Sequence, residues 1–319
     1  MPEVDAAWEE WLSSNVVRGC SPDSMIEAMV RSGFAADAAS VAVHRTLGQN
    51  SAGAASVAAV AASAASAASA ASAAVAAVAS TASAASAATG AARAAVAPCT
   101  YQYDAVPVAR GNVIRAYDRD VRVLMRCERP QVIVFADVLS PDECGEMIER
   151  SRHRLKRSTT VNPATGQEDV IRNRTSEGIW YQRGEDPFIE RLDRRIASLM
   201  NSPVENGEGL QILHYDTTGE YRPHFDYFPP DQPGSAVHTA QGGQRVATLV
   251  VYLNDVADGG ETIFPDAGMS VAAMQGGAVY FRYMNGQRQL DPLSLHGGAP
   301  VLAGDKWIMT KWVRERAYG

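Results

Sequence analysis

Residues 49–97 hold little besides alanine, serine and valine, and Arg93 is their single charge. Within "SAASAASAASAAVAAVASTASAAS", and from residue 57 through residue 78, serine or valine recurs at every third position. An α-helix turns once in about 3.6 residues, so a stripe of period three drifts around the axis and never makes one buried face. By length the run could span a membrane. Alanine and serine are too weakly apolar for that, and no large aliphatic block is present. The run therefore reads as a linker, about 70 Å long as a continuous helix or about 40 Å across as a flexible coil. Whatever folds here must fold on either side of it, in residues 1–48 and 98–319.

The first of these segments predicts a small helical unit. Trp8, Trp11 and Leu12 fall at helical spacing. "SPDSMIEAMV" offers Ser21 as N-cap and Pro22 at the first helical position, with Met25, Ile26, Met29 and Val30 as an apolar stripe and Gly33 as the stop. Such a unit is either a packing appendage or a docking module. The second segment predicts an α+β domain, expected to stand without the first 97 residues. "PQVIVFADVL" reads as a strand, followed by a helix capped by Ser140 with Pro141 at its first position and Glu143 completing a capping box. "DPFIERLDRRIASLM" repeats the device with Asp186 and Pro187 ahead of Phe188, Leu192, Ile196 and Leu199. After residue 208 the texture changes to short strands, "LQILHY", "VATLVVYL", "AVYFRY" and "KWIMTKWV", punctuated by glycine, proline and aspartate. Helices followed by a run of strands predict a β-sandwich or barrel buttressed on one side by helices.

A net charge of −7 argues against a nucleic-acid or anionic-membrane partner, which would call for a basic face. Cys20, Cys99, Cys127 and Cys144 lie far apart and form no CxxC pair, a pattern that suits free thiols in a reducing compartment. "MPEVDAAWEEWL" has acids and tryptophans where a signal peptide would carry basic residues and an apolar run. A soluble, cytoplasmic protein is expected.

The chemistry concentrates around "YRPHFDYF", residues 221–228. In a strand, His224 and Asp226 project to one face and Phe225 to the other. An imidazole beside a carboxylate is either a buried hydrogen-bonded pair or two ligands of a metal. Besides His224, the chain offers five histidines as a third ligand. His296, in "LSLHGGAPVLAGDKW", stands at a strand entrance before two glycines that let a backbone or ligand approach closely. Two imidazoles and one carboxylate on a β scaffold are the facial triad of non-haem Fe(II) oxygenases. The same stretch predicts a hairpin turning at Ala303-Gly304-Asp305, which would return Lys306 beside His296. A lysine among Trp307, Ile308 and Met309 either finds an anionic partner or snorkels to solvent. A small dicarboxylate, chelating iron at one end and paired with Lys306 at the other, would satisfy it.

"LHYDTTGEYRPHFDYF", "RVATLVVYLNDVADGGETIFP" and "SLHGGAPVLAGDKWIMTKW" together resemble the prolyl 4-hydroxylase family of Fe(II)/2-oxoglutarate dioxygenases, over roughly residues 130–316. The resemblance implies a double-stranded β-helix, or jelly roll. It implies His224, Asp226 and His296 as iron ligands and Lys306 as the partner of the far carboxylate of 2-oxoglutarate. Tyr215 and Thr262 match positions whose hydroxyls meet the same cosubstrate. Tyr221, Arg245 and Trp312 match positions facing a peptide substrate, and Arg174, in "RNRTSEGIW", matches a mobile loop that closes over it. Fe(II), 2-oxoglutarate, O2 and L-ascorbate are the implied cofactors, and a proline-containing peptide or protein is the implied substrate. Two other readings stay open: the same chemistry on a free amino acid or small metabolite, and a non-catalytic jelly-roll binding protein. The resemblance has no counterpart for residues 1–97.

Overall fold

The computed structural model describes residues 4–17, 22–48, 101–161, 167–169 and 174–319. Helices α1 (Ala6–Val17) and α2 (Pro22–Arg31) match the two predicted apolar runs, and Gly33, at φ 90°, ends the second. A third helix, α3 (residues 36–48), was not anticipated, because its buried face is Ala39, Ala42 and Val43 and carries little apolar signal. Ser21, the expected cap of α2, and the whole of the expected linker lie outside the described residues.

The main body begins with β1 (Val113–Ala116), β2 (Arg119–Glu128) and β3 (Gln131–Ala136), an antiparallel meander. Helix α4 (Pro141–Ser151) starts in the predicted capping box. Ser140 Oγ accepts the Glu143 N–H at 3.2 Å, and the Glu143 carboxylate accepts the Ser140 N–H at 2.9 Å. The short strands β4 (Lys156–Arg157), β5 (Thr160–Val161) and β6 (Glu168–Asp169) lead to β7 (Glu177–Tyr181). Helix α5 (Pro187–Met200) is capped by Asp186, whose carboxylate accepts the N–H groups of Phe188 and Ile189 at 2.8 and 3.0 Å.

Next come β8 (Leu210–Tyr215), β9 (Tyr221–His224), the short helix α6 (Ser235–Thr239) and β10 (Arg245–Tyr252). They are followed by β11 (Asp258–Gly259), β12 (Thr262–Phe264), β13 (Met269–Val271), β14 (Ala278–Arg282), β15 (His296–Gly298), β16 (Val301–Ala303) and β17 (Lys306–Arg314). A nine-stranded sheet runs β1-β2-β3-β14-β10-β17-β8-β7-β4, and a four-stranded sheet runs β13-β12-β15-β9. From β8 onward the chain passes back and forth between the two sheets, which gives the double-stranded β-helix expected from the resemblance.

Strand periodicity explains why the large sheet reads as nearly continuous apolar sequence. Along β10, Ala247, Leu249 and Val251 face α4 and α5, where they join Met147, Leu192 and Ile196 in one core. Val250 and Tyr252 face the small sheet and pack with Phe264, Phe281 and Tyr283 in a second core. A sheet covered on both faces needs apolar residues on both. On β17 the same alternation turns Trp307 and Met309 toward the helices and Ile308 inward, on the face that also carries Lys306 and Trp312.

One expectation is corrected. The turn at Gly304 is present, with φ 82°, but its arms make no hairpin. β15 belongs to the small sheet, β16 pairs with β11, and β17 crosses to the large sheet, where Lys306 pairs with Tyr215. The N-terminal helices pack on the domain. Trp8, Trp11, Leu12, Met25 and Met29 share a buried cluster with Leu295, and Phe225 packs against it. Among the described residues, no helix is long and apolar enough to cross a membrane.

Candidate active site

His224 ends β9 and His296 opens β15, and antiparallel pairing sets the two histidines directly opposite each other. Their rings lie 4.5 Å apart between centroids. Close approach of the strands depends on Gly297, where a Cβ would meet Tyr221 O at 2.9 Å and Pro223 N at 3.0 Å. Asp226 lies two residues past the end of β9, on the face predicted by the strand period. His224 Nε2 is 3.5 Å from one carboxylate oxygen of Asp226, and His296 Nε2 is 3.5 Å from the other. One donor atom from each of the three residues falls within 4.8 Å of the others.

The backbone settles which imidazole nitrogens face the centre. His224 Nδ1 lies 2.9 Å from Arg222 O, and His296 Nδ1 lies 3.0 Å from Ser294 O. A carbonyl can only accept, so each Nδ1 carries the proton and each Nε2 turns a lone pair inward. Burial would raise the Asp226 carboxyl, but His296 and His224 outweigh it and hold the group well below the usual carboxylate range. Burial pushes the His296 imidazole down to about 4, against the pull of Asp226. A deprotonated carboxylate and two neutral imidazoles are the protonation states that a divalent metal requires. The donor set therefore fits such an ion.

Thr248, on β10, donates its hydroxyl to Asp226 Oδ2 at 2.6 Å. Sequence reasoning missed it, although a threonine in the apolar strand "VATLVVYL" was an available signal. Tyr221 stacks on His224 at 3.6 Å between ring centroids, and the Arg174 guanidinium lies 4.8 Å from the Tyr221 ring centre.

Lys306, Tyr215 and Thr262 line the same cavity as the three candidate ligands, a space of about 430 Å³. Lys306 is only 3% exposed, and burial pushes its amine down to about 8, against the attraction of Glu261. Its Nζ lies 5.6 Å from the Tyr215 ring centre and 6.0 Å from that of Tyr252. Tyr252, also missed in the sequence, donates its hydroxyl to Thr262 Oγ1 at 2.8 Å and so orients that group.

The outer part of the cavity is aromatic. Trp312 and Trp180 sit 5.5 Å apart, and the buried Trp312 Nε1–H has no hydrogen-bond partner among the described residues. Arg245, expected to face a substrate, lines the cavity and is also bound by the protein. It pairs with Glu208 through two contacts of 2.7 and 2.8 Å, reaches Asp226 O at 3.4 Å, and lies 4.1 Å over the Trp312 ring. Burial would raise the Glu208 carboxyl, but Arg245 and Arg314 outweigh it and hold it low. Arg174 also lines the cavity and is held by the protein. It is 6% exposed, with Ser176 Oγ, Thr159 O and Gln211 Oε1 accepting its hydrogen bonds. Of the stretch "RNRTSEGIW", residues 172–180, where the mobile loop was expected, residues 172 and 173 lie outside the described residues, and the stretch from Glu177 on forms most of β7.

Two histidines and a carboxylate converging between the sheets of a jelly roll define a mononuclear oxygenase centre. Residues 210–314 match the 2OG-Fe(II) oxygenase superfamily. The chain is 39% identical over 208 residues to probable prolyl 4-hydroxylase 10 of Arabidopsis thaliana, covering 59% of this chain and 70% of the relative. It is 41% identical over 203 residues to prolyl 4-hydroxylase 1 of the same plant, with shares of 59% and 70%. Among solved structures, the viral collagen prolyl hydroxylase vCPH of Paramecium Bursaria Chlorella virus-1, in its 2OG complex, is 26% identical with a TM-score of 0.45. That match covers 57% of this chain and 95% of the viral one. The chain belongs to the prolyl 4-hydroxylase family of 2OG-Fe(II) oxygenases, enzymes that use Fe(II), 2-oxoglutarate and O2.

Proposed function

We propose that this protein hydroxylates proline residues of a peptide or protein, with release of succinate and CO2. His224, Asp226 and His296 hold Fe(II), and Thr248 keeps the Asp226 carboxylate turned toward it. The Lys306 ammonium pairs with the far carboxylate of 2-oxoglutarate, beside the hydroxyls of Tyr215 and Thr262. Bound iron with 2-oxoglutarate and O2 supplies the oxidising power for an unactivated C–H bond. The chain's own part is to orient the substrate and exclude water.

The observation that carries the peptide reading is the unpartnered Trp312 Nε1–H at the aromatic end of the cavity. A buried donor without an acceptor is costly, and the carbonyl of an extended chain would satisfy it. Tyr221 and Trp312 offer flat faces to a proline ring, and polyproline II segments bind with little entropy lost. Arg245 acts through Trp312 and Arg174 through Tyr221. A cytoplasmic location is part of the same proposal, supported by the free thiols of Cys127 and Cys144.

The test incubates the full chain with Fe(II), L-ascorbate as reductant and 2-oxoglutarate, with and without proline-rich peptides. Succinate release should rise with peptide, and mass spectrometry should find one added oxygen on proline. Ascorbate dependence is read by leaving it out. Hydroxylation of a free amino acid with no activity on any prolyl peptide would refute the substrate assignment. Absence of metal binding would point to a scaffold protein instead.

A further inference from the structure

The N-terminal helices have no part in the reading above, yet they meet the chain where its candidate ligands are carried. The Trp11 indole N–H donates to Pro223 O at 3.3 Å in a buried contact, and the Arg222 guanidinium lies 3.7 Å over the Trp8 ring. Phe225, between His224 and Asp226, and Leu295, next to His296, pack into the apolar cluster of the three helices. Helix α2 also lies against the turn Pro265–Ala267, which follows the strand carrying Thr262. One small unit thus touches each segment that the small sheet contributes to the site.

The need for such support follows from the sheet. β9 is its terminal strand, four residues long, and its pairing with β15 is irregular between His296 and Gly298. Pro223 has no N–H to give to a ladder. A short terminal strand with broken register is a weak platform for a metal ligand, and ligand geometry must be held to within a fraction of an ångström.

We propose that the N-terminal three-helix unit is a positioning element of the metal site, with Trp11 fixing the 222–225 segment so that His224 and Asp226 stay in register with His296. The inference rests on the metal reading of that triad. Trp11 touches neither metal nor substrate and acts through Pro223 and Phe225.

The test uses the full chain and Co(II) as a spectroscopic stand-in for Fe(II), titrated without oxygen or 2-oxoglutarate. Trp11→Ala should weaken Co(II) binding about tenfold or more and alter its visible absorption. Trp11→Phe keeps the ring and loses the donor, and should weaken binding about fivefold. Val121→Ala, a cavity in the core on the far side of the large sheet, is the control for lost stability alone. Trp11 variants that lower the melting temperature as Val121→Ala does, while binding Co(II) with wild-type affinity and spectrum, would overturn the proposal. If Trp11→Ala does not fold, Trp11→Phe decides. A wild-type chain that binds no Co(II) would overturn the triad reading itself, and the inference with it.

Discussion

Replacing Lys306 by methionine should move two properties in opposite directions. Methionine matches the lysine stem in length and is apolar, so the pocket keeps its packing and loses its charge. In the folded protein, burial lowers the amine from 10.5 to about 8. That fall corresponds to about 3 kcal/mol against the charged form. A group whose folded pKa lies below its unfolded value destabilises the fold at all pH values below both, and the penalty disappears as pH rises through the unfolded value. At pH 7 the variant without cosubstrate should therefore gain stability, by at most about 3 kcal/mol. Cosubstrate binding should suffer, because the lost ion pair is worth about 2–5 kcal/mol. The apparent KM for 2-oxoglutarate should rise at least about thirtyfold. In the wild type, the same KM should climb as pH passes about 8, where the free amine loses its proton, and the variant should show no such rise. Thermal denaturation without cosubstrate and succinate release at varied 2-oxoglutarate supply the two readings. An unchanged KM in Lys306→Met, or one that still rises above pH 8, would refute the reasoning.

His224→Ala, Asp226→Ala and His296→Ala should each abolish turnover and metal binding while circular dichroism reports an intact fold; near-normal Fe(II)-dependent activity in any of them would remove that residue from the ligand set. Thr248→Val deletes the 2.6 Å donor to Asp226 at nearly constant volume, and should weaken metal binding about ten- to a hundredfold, as read by Co(II) titration. Glu208→Gln leaves Arg245 and Arg314 without their buried counter-charge, and urea denaturation should show a loss of about 3–5 kcal/mol. Arg245→Ala should weaken peptide binding far more than 2-oxoglutarate binding, measured as separate KM values, because the Trp312 ring loses its support.

Features fixed by local chemistry were legible in the sequence. Ser140 and Asp186 announce their helices because a cap acts within three residues. The two-residue strand period was enough to pair His224 with Asp226, although β9 ends at His224 and Asp226 reaches the centre from the turn beyond it. The remainder depends on long-range pairing. Lys306 lines the cavity, but by a route other than the expected hairpin, since a turn at Gly304 does not say which sheet the returning strand joins. Thr248 reaches Asp226 only because β10 faces β9 across the two sheets. Arg245 looked free to grip a substrate because its partner, Glu208, is 37 residues away. The N-terminal unit showed its own apolar stripe, but the surface it covers is built from Phe225 and Leu295, which look like ordinary core residues in sequence.

The imidazole separation is governed by a hydrogen atom, the whole side chain of Gly297. Nothing bulkier fits between the backbones of β9 and β15 without wedging them apart, and His224 and His296 ride on those backbones as a facing pair. An alanine there would act as a shim of one methyl thickness, widening the jaw in which the ion sits while leaving every candidate ligand in place. Such a chain would keep its full ligand signature and still have lost its grip. Inspecting only the histidines and the aspartate would pass it as intact, and the neighbouring glycine is the position to read.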